Sequence, residues 1–222
     1  MPKRSHREEI EIKLAVRDLR DLRARLKRLR ARKISPRTYE TNTLYDTLAQ
    51  GLRRCGQLLR IRTEQPPASF GKTATHEDAV AILTYKGPPA RPSRPEKTSN
   101  SPSRRNQYKI KDEAEVRAAG AGELARILRS LGLQPVFRYE KFRTTYALPG
   151  ISGLKIELDE TPVGTYLELE GPIAGIDRAA QLLGYARRDY VTDSYGGLYL
   201  ADCRRRGQKP GHMLFPPTKK SR

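Results

Sequence analysis

Two glutamates and a lysine spaced two apart, Glu9, Glu11 and Lys13, alternate with Ile10 and Ile12 near the start of the chain. In an extended strand that spacing puts the three charged groups on one face and the isoleucines on the other. Two carboxylates and an ammonium in one line can hold a hard cation and touch an anion beside it. A solvated edge strand gives the same pattern, because antiparallel sheets commonly keep one face wet. The chemistry therefore depends on whether the pattern recurs.

It recurs along most of the chain. Arg60 and Arg62 flank Ile61, and Lys86 closes the apolar run 80–85. Lys109, Lys111, Glu113 and Glu115 share one side of 107–116, and Lys141 and Arg143 share one side of the next such segment. Lys155, Glu157 and Asp159 alternate with Leu154, Ile156 and Leu158, then Glu168 and Glu170 with Leu167 and Leu169. The candidate face holds Glu9, Glu11, Lys13, Arg60, Arg62, Lys86, Lys109, Glu113, Glu115, Lys141, Arg143, Asp159, Glu168 and Glu170. A merely solvated face would accept Ser, Thr, Asn and Gln freely, whereas this one is mostly ionised.

Strands must position these residues. Beyond the opening one, β patterning predicts strands near 39–47, 57–62, 80–86, 107–116, 136–148, 154–159 and 166–170. Apolar stripes at helical spacing predict helices over 16–31 (Leu19, Leu22, Leu26, Leu29) and 122–131 (Leu124, Ile127, Leu128, Leu131), with a shorter one at 175–183. Ser35-Pro36 is expected to end the first helical element. The economical solution is an α+β fold: an antiparallel sheet curled into a closed barrel, with charges inside and helices packed outside. A lumen of that kind cannot bury so many charges dry, so they must pair, coordinate metal or bind an ion. Glu9 and Glu11 with Glu168 and Glu170 would complete a Mg²⁺ or Mn²⁺ site, and the Lys and Arg rows would clamp a polyanion.

Composition narrows the partner. The 222 residues suit one medium domain or two small ones, and the formal charge of +19 points to something anionic. Arginine dominates the basic set, which favours bidentate contacts to phosphate or carboxylate. Nucleic acid and a phosphorylated small molecule are rival partners at this point. A non-catalytic RNA- or polyanion-binding module would use Arg20, Arg23, Arg25 and Arg30, the Pro/Ser/Arg-rich loop 88–106 and the basic tail. The strand-facing acids count against it. A folded unit over 1–203 is expected, with 204–222 as a frayed tail. Cys55 and Cys203 form no disulfide framework, and no signal peptide or membrane-length apolar run is visible, so a cytoplasmic protein is expected. Nothing here specifies an oligomeric state. Gly71-Lys72-Thr73 lacks the first glycine of a phosphate loop, since Pro66 stands in its place. His6, His76 and His212 show no ligand spacing, Cys55 has no base beside it, and Ser152 reads as part of a turn.

Taken in order, Glu9-x-Glu11-x-Lys13, Leu59-Arg60-Ile61-Arg62, Thr84-Tyr85-Lys86-Gly87-Pro88, Lys141-x-Arg143, Asp159 and Glu168-x-Glu170 resemble the CYTH superfamily of triphosphate tunnel metalloenzymes. The resemblance spans about residues 8–200, and Asn42 to Thr47 bring it nearest the class IV adenylyl cyclase branch, while thiamine triphosphatase and inorganic triphosphatase members share the same motifs. It implies an eight-stranded tunnel in which Lys13, Arg60, Arg62, Lys86, Lys141 and Arg143 hold a triphosphate. Glu9, Glu11, Glu168 and Glu170 would hold Mg²⁺ or Mn²⁺, with Asp159 completing or orienting that shell. Glu9, Glu11, Lys13 and Asp159 would then be the catalytic set. Glu113 and Glu115 serve equally well as a second metal shell or as partners of the basic rows. Attack by water on the terminal phosphorus gives a triphosphatase, and attack by a ribose hydroxyl on the α-phosphorus gives a cyclase. Tripolyphosphate, nucleoside triphosphates and thiamine triphosphate share the group these motifs read. The absence of tryptophan counts against a thiazolium, although Tyr45, Tyr85 and Tyr195 are available for stacking.

Overall fold

A computed structural model of the protein describes residues 7–65, 81–89 and 107–217. Most of the expected 88–106 loop, Gly71-Lys72-Thr73, His6, His76 and residues 218–222 lie outside those described.

The alternating segments form β1 (Arg7–Ala15), β2 (Arg32–Asp46), β3 (Leu58–Gln65), β4 (Ala81–Pro89), β5 (Lys109–Ala118), β6 (Gln134–Ala147), β7 (Lys155–Thr161) and β8 (Gly164–Glu170). They pair antiparallel in the order β5-β4-β3-β2-β6-β7-β8-β1, and β1 pairs back onto β5, which closes an eight-stranded barrel as expected. Register places Lys13 opposite Glu168, Glu11 opposite both Glu170 and Lys109, and Arg143 opposite Asp159. A two-residue strand, β9 (Tyr190–Val191), continues the β5 edge of β1 at Lys13 and Leu14.

Alternation sends the aliphatic half of each strand outward, where helices cover it. α1 (Leu19–Arg28) and α4 (Ile173–Leu182) bury Leu22, Leu26, Ile176 and Ala179 in one cluster with Ile12, Leu14, Ile156, Leu158, Leu167 and Leu169. α3 (Ala121–Ser130) covers a smaller cluster with Tyr45, Ile61 and Ala81. α1 starts at Asp18, whose carboxylate accepts from the amides of Arg20 and Asp21 at 2.8 and 3.1 Å. Its face is not all solvated: Arg25 donates to the Leu183 carbonyl at the end of α4, at 2.7 Å.

Three boundaries differ from expectation for identifiable reasons. Ser35-Pro36 lies inside β2, where register shifts between Lys33 and Thr38 accommodate a residue that cannot donate to the ladder. β4 likewise runs on through Pro88 to Pro89 across a shift after Lys86. The expected boundary after Cys203 falls inside a helix, α5 (Tyr195–Arg206), and residues 207–217 return to β6 with Met213 buried. There Met213 bridges the edge beyond the end of β7, its amide donating to Arg138 and its carbonyl accepting from Glu140, both at 3.0 Å.

The turn from β2 into α2 (Gly51–Arg54) hangs on one side chain. Buried Asp46 accepts from the backbone amides of Thr47, Leu52 and Arg53 at 2.7, 2.9 and 2.9 Å. Burial opposes its ionisation, but these amides outweigh it and hold the carboxyl below its ordinary value. Asp46→Ala is expected to cost about 1–2 kcal/mol in denaturant unfolding near pH 7. Because the folded carboxyl titrates lower than the unfolded one, its contribution is full above the ordinary carboxyl range and fades as pH falls through the folded value. The gap between wild type and variant should therefore close in acid, and a pH-independent gap would contradict this account.

Candidate functional site

The inward faces converge on a lumen. β1 contributes Glu9, Glu11 and Lys13, β2 Glu40 and Asn42, β3 Arg60 and Arg62, β4 Thr84 and Lys86, and β6 Tyr139, Lys141 and Arg143. β7 adds Glu157 and Asp159, and β8 adds Glu168. Lys13, Glu40, Lys141 and Asp159 are at most 2% exposed. These are burials that only partners make tolerable.

One group of partners centres on β1. Lys86 lies 2.5 Å from Glu9 and 3.4 Å from Glu113, while Glu11 takes Lys109 at 2.5 Å and Lys13 at 3.1 Å. Lys13 then reaches Glu168 at 2.9 Å. A second group centres on Asp159, which accepts from Lys141 at 2.9 Å and from Arg143 through two bonds of 2.7 and 2.6 Å. Arg143 also pairs with Glu157 and Glu168. Glu40 sits under Arg62 and Lys141, each at 3.4 Å. Arg60 stands apart, donating to the Tyr139 hydroxyl at 3.1 Å and to Thr84 at 3.0 Å. α5 caps the second group: the Tyr195 hydroxyl donates to Asp159 at 2.6 Å, and the Tyr195 ring lies 5.1 Å from the Lys13 ammonium and 5.2 Å from that of Lys141.

These contacts spread the carboxyl affinities apart. Burial pushes Glu9 up to about 8, Glu11 and Glu113 adding to the rise and Lys86 opposing it. Burial also works against Glu11 and Glu168. For Glu11 the surrounding lysines outweigh it, and for Glu168 Lys13, Arg143 and Lys141 do, so both stay well below the ordinary range. Burial raises Glu157 to about 7, with Glu168 and Asp159 adding and Arg143 opposing. Glu40 is held low against burial by Arg62, Lys141 and Arg143.

The lumen brings together all but one of the sequence-predicted site residues. Glu170 pairs with Lys155 at 3.1 Å, and its side chain is 23% exposed, against 8% for Glu11 and 9% for Glu168. Among the described residues no three acidic, histidine or cysteine side chains converge closely enough to hold a cation as they stand. The oxygen-only donor set nevertheless suits a hard divalent ion. Glu9, crowded by Glu11 and Glu113, is the carboxyl whose burial such an ion would relieve. Asp159, by contrast, is saturated by Lys141, Arg143 and Tyr195.

Sequence reasoning missed Glu40, Asn42, Tyr139 and Glu157 as site residues, and offered Tyr195 only for stacking. Glu40 and Asn42 share the inward side of β2, but Thr and Tyr neighbours mask the charge alternation there. Glu157 stood in a recognised alternating segment, one position from Asp159 on the same face. Tyr195 reaches the lumen from a helix, and no strand periodicity signals that.

Fold and site define a closed antiparallel barrel with an ion-lined tunnel. The CYTH domain family model matches residues 7–189, and the chain belongs to that family. It is similar to a candidate adenylate cyclase of Vibrio parahaemolyticus, 17% identical over 86% of this chain and 96% of that one, with a TM-score of 0.65. A protein of Pyrococcus horikoshii OT3 is 19% identical over 87% of this chain and 99% of that one, with the same TM-score. A Hippeastrum candidate adenylyl cyclase with a dominant triphosphatase activity is 18% identical over 91% and 97%, at a TM-score of 0.50. At such identities the likeness shows the fold. No curated protein sequence matches the chain.

Removing Glu40 would strand Arg62, Lys141 and Arg143 around a buried gap. Glu40→Ala is expected to lose about 3–5 kcal/mol of unfolding free energy, measured by denaturant titration without added anions. A loss within about 0.5 kcal/mol, the range of ordinary surface changes, would show that this pairing does not hold the lumen.

Proposed function

We propose that the protein is a metal-dependent phosphoryl-transfer enzyme acting on a triphosphate held in the barrel lumen. Membership of the CYTH family supports this reading, and one observation of the lumen carries it further. The cations Lys13, Arg60, Arg62, Lys86, Lys109, Lys141 and Arg143 are matched by Glu9, Glu11, Glu40, Glu113, Glu115, Glu157, Asp159 and Glu168. The +19 formal charge therefore resides mainly elsewhere, and the lumen alone is close to balanced. A triphosphate entering it adds several negative charges that the basic residues cannot neutralise while they serve the carboxylates. Additional cations must accompany the substrate.

Glu9, Glu11 and Glu168 are the groups proposed to hold that cation, with Asp159 orienting the basic row behind them; Glu170, at Lys155, is more peripheral. A bound Mg²⁺ or Mn²⁺ supplies charge neutralisation on the phosphate oxygens and activates the attacking oxygen. The protein supplies the rest. Arg60, Arg62 and Arg143 offer planar donors to non-bridging oxygens, and Lys13, Lys86 and Lys141 offer point charges. Asp159 with Tyr195 holds Lys141 and Arg143 in place before substrate arrives, so little reorganisation is needed as charge develops. The same clamp serves hydrolysis of the terminal phosphoryl group and attack on the α-phosphorus by a substrate hydroxyl. The product distinguishes them: orthophosphate in one case, pyrophosphate and a cyclic nucleotide in the other.

Phosphate release from tripolyphosphate and nucleoside triphosphates should require Mg²⁺ or Mn²⁺ and stop on chelation. Glu9→Gln and Glu11→Gln should each lower turnover by about a hundredfold or more. Full activity in both variants would overturn the metal assignment. Salt-sensitive RNA binding with no turnover of any triphosphate would instead favour a binding module.

A further inference from the structure

With the lumen close to balanced, most of the +19 formal charge lies outside it, and its densest share falls in residues 17–33, which hold nine basic and two acidic residues. Both acids are already engaged. Asp18 caps α1, and Asp21 pairs with Arg25 at 2.7 Å. Arg20, Arg23, Lys27, Arg30, Arg32 and Lys33 are all exposed, and none has an acidic partner among the described residues.

Packing gathers these cations on one surface. Leu19, Leu22, Leu26 and Leu29 fix one side of α1 on the barrel, and the spacing of Arg20, Arg23 and Lys27 lines those three along one flank. That flank meets the end of β2 and β6. Burial raises the Tyr146 hydroxyl of β6 above its ordinary value, and Arg23 opposes the rise. Register sets Lys33 opposite Tyr146, with Arg32 next to it opposite Ala147. Helix flank and strand start are therefore continuous.

Arg30 adds a second observation. At the end of α1 the Ala31 amide donates to the Leu26 carbonyl at 2.9 Å, and the Arg30 amide to that of Lys27 at 3.0 Å. This pattern holds Arg30 in the left-handed region, at φ 54°, where glycine is the usual residue. Its side chain makes no hydrogen bond or ion pair among the described residues. Strain kept for a side chain that the fold does not use points to a use outside the fold.

We propose that this surface binds the phosphodiester backbone of double-helical nucleic acid. Four of the six cations are arginines, whose planar donors match phosphate oxygens in pairs. Residues 17–33 contain no aromatic ring to stack on an unpaired base and no Asn, Gln, Ser or Thr to read a base edge, so the contact is to the backbone and independent of sequence. An anionic membrane fits less well. α1 uses its apolar side against the barrel, and the exposed Ile34 beside Lys33 is a single apolar side chain. The six cations lie outside the barrel wall, so duplex binding there neither needs nor competes with a triphosphate in the lumen.

Fluorescence anisotropy of labelled duplex RNA and duplex DNA, titrated with the full chain at several salt concentrations, tests this. The wild type should bind at least one duplex, with an affinity that falls steeply as salt rises. Arg20→Ala/Arg23→Ala/Lys27→Ala should weaken binding by about tenfold or more and make the dependence of log Kd on log salt shallower by about two to three. Arg117→Ala/Arg126→Ala/Arg129→Ala removes the same charge from the α3 side and should weaken binding by no more than about threefold. Arg30→Gly should raise Tm by relieving the strain and still weaken duplex binding. Thermal melting reports whether each variant keeps its fold, and phosphate release from tripolyphosphate should match the wild type in all of them. Equal weakening by the two triple variants would reduce the effect to net charge and overturn the proposal. Binding to phosphatidylserine vesicles but to neither duplex would overturn it as well, as would the absence of duplex binding at low salt.

Discussion

A charge taken out of water must find an opposite charge or regain its proton, and this barrel is built around that requirement. Strand alternation places Glu9, Glu11, Lys13, Lys141, Arg143, Asp159 and Glu168 inside whatever their neighbours are. Closure of β1 onto β5 then seals them from bulk solvent. Once closed, the lumen is stable only as a network, and the observed pairs form one: Glu9 with Lys86, Glu11 with Lys109 and Lys13, Lys13 with Glu168, Asp159 with Lys141 and Arg143. Such pairs add little net stability over an apolar core. On the proposed function their value lies in being exchangeable, since an entering polyanion with its cations would replace carboxylate partners.

The aliphatic cover makes this possible. Ile12, Leu14, Ile156, Leu158, Leu167 and Leu169 are essentially inaccessible beneath α1 and α4, so hydrophobic burial lies outside the barrel wall and not in its centre. A barrel of this size would otherwise fill its interior with side chains. α5 is the exception, since Tyr195 turns inward to hold Asp159, and the 207–217 segment anchors on β6 nearby through Met213. α5 and the segment after it add Leu200, Pro210 and Gly211 to one wall of a cavity that Leu44, Leu58 and Phe137 of the barrel strands also line, with Lys86 of β4 and Lys109 of β5 among its basic lining.

Much of this was legible in the sequence, because a period of two fixes a side chain's face without reference to anything distant. Glu9-x-Glu11-x-Lys13, Arg60-x-Arg62, Lys141-x-Arg143 and Glu168 were placed correctly on that basis, and the ordered set named the family. What was hidden depends on register or on long-range contact. Glu40 becomes a lumen anchor only because β2 sets it opposite Lys141, and Glu170 becomes peripheral because it stands beside Lys155. Pro36 reads as a breaker until a bulge accommodates it. Met213 lies in a Pro/Gly-rich stretch with no periodicity, and only the unpaired edge of β6 reveals its place.

The central claim is that the lumen recognises a triphosphate by structure, not that a basic protein attracts anions. Thermal melting of the wild type with Mg²⁺ and tripolyphosphate, pyrophosphate or orthophosphate, at one ionic strength, separates these directly. The account predicts a rise in Tm that saturates with tripolyphosphate, weakens with pyrophosphate and is absent with orthophosphate, as expected for a ligand that binds only the folded state. Equal shifts for all three anions would contradict it.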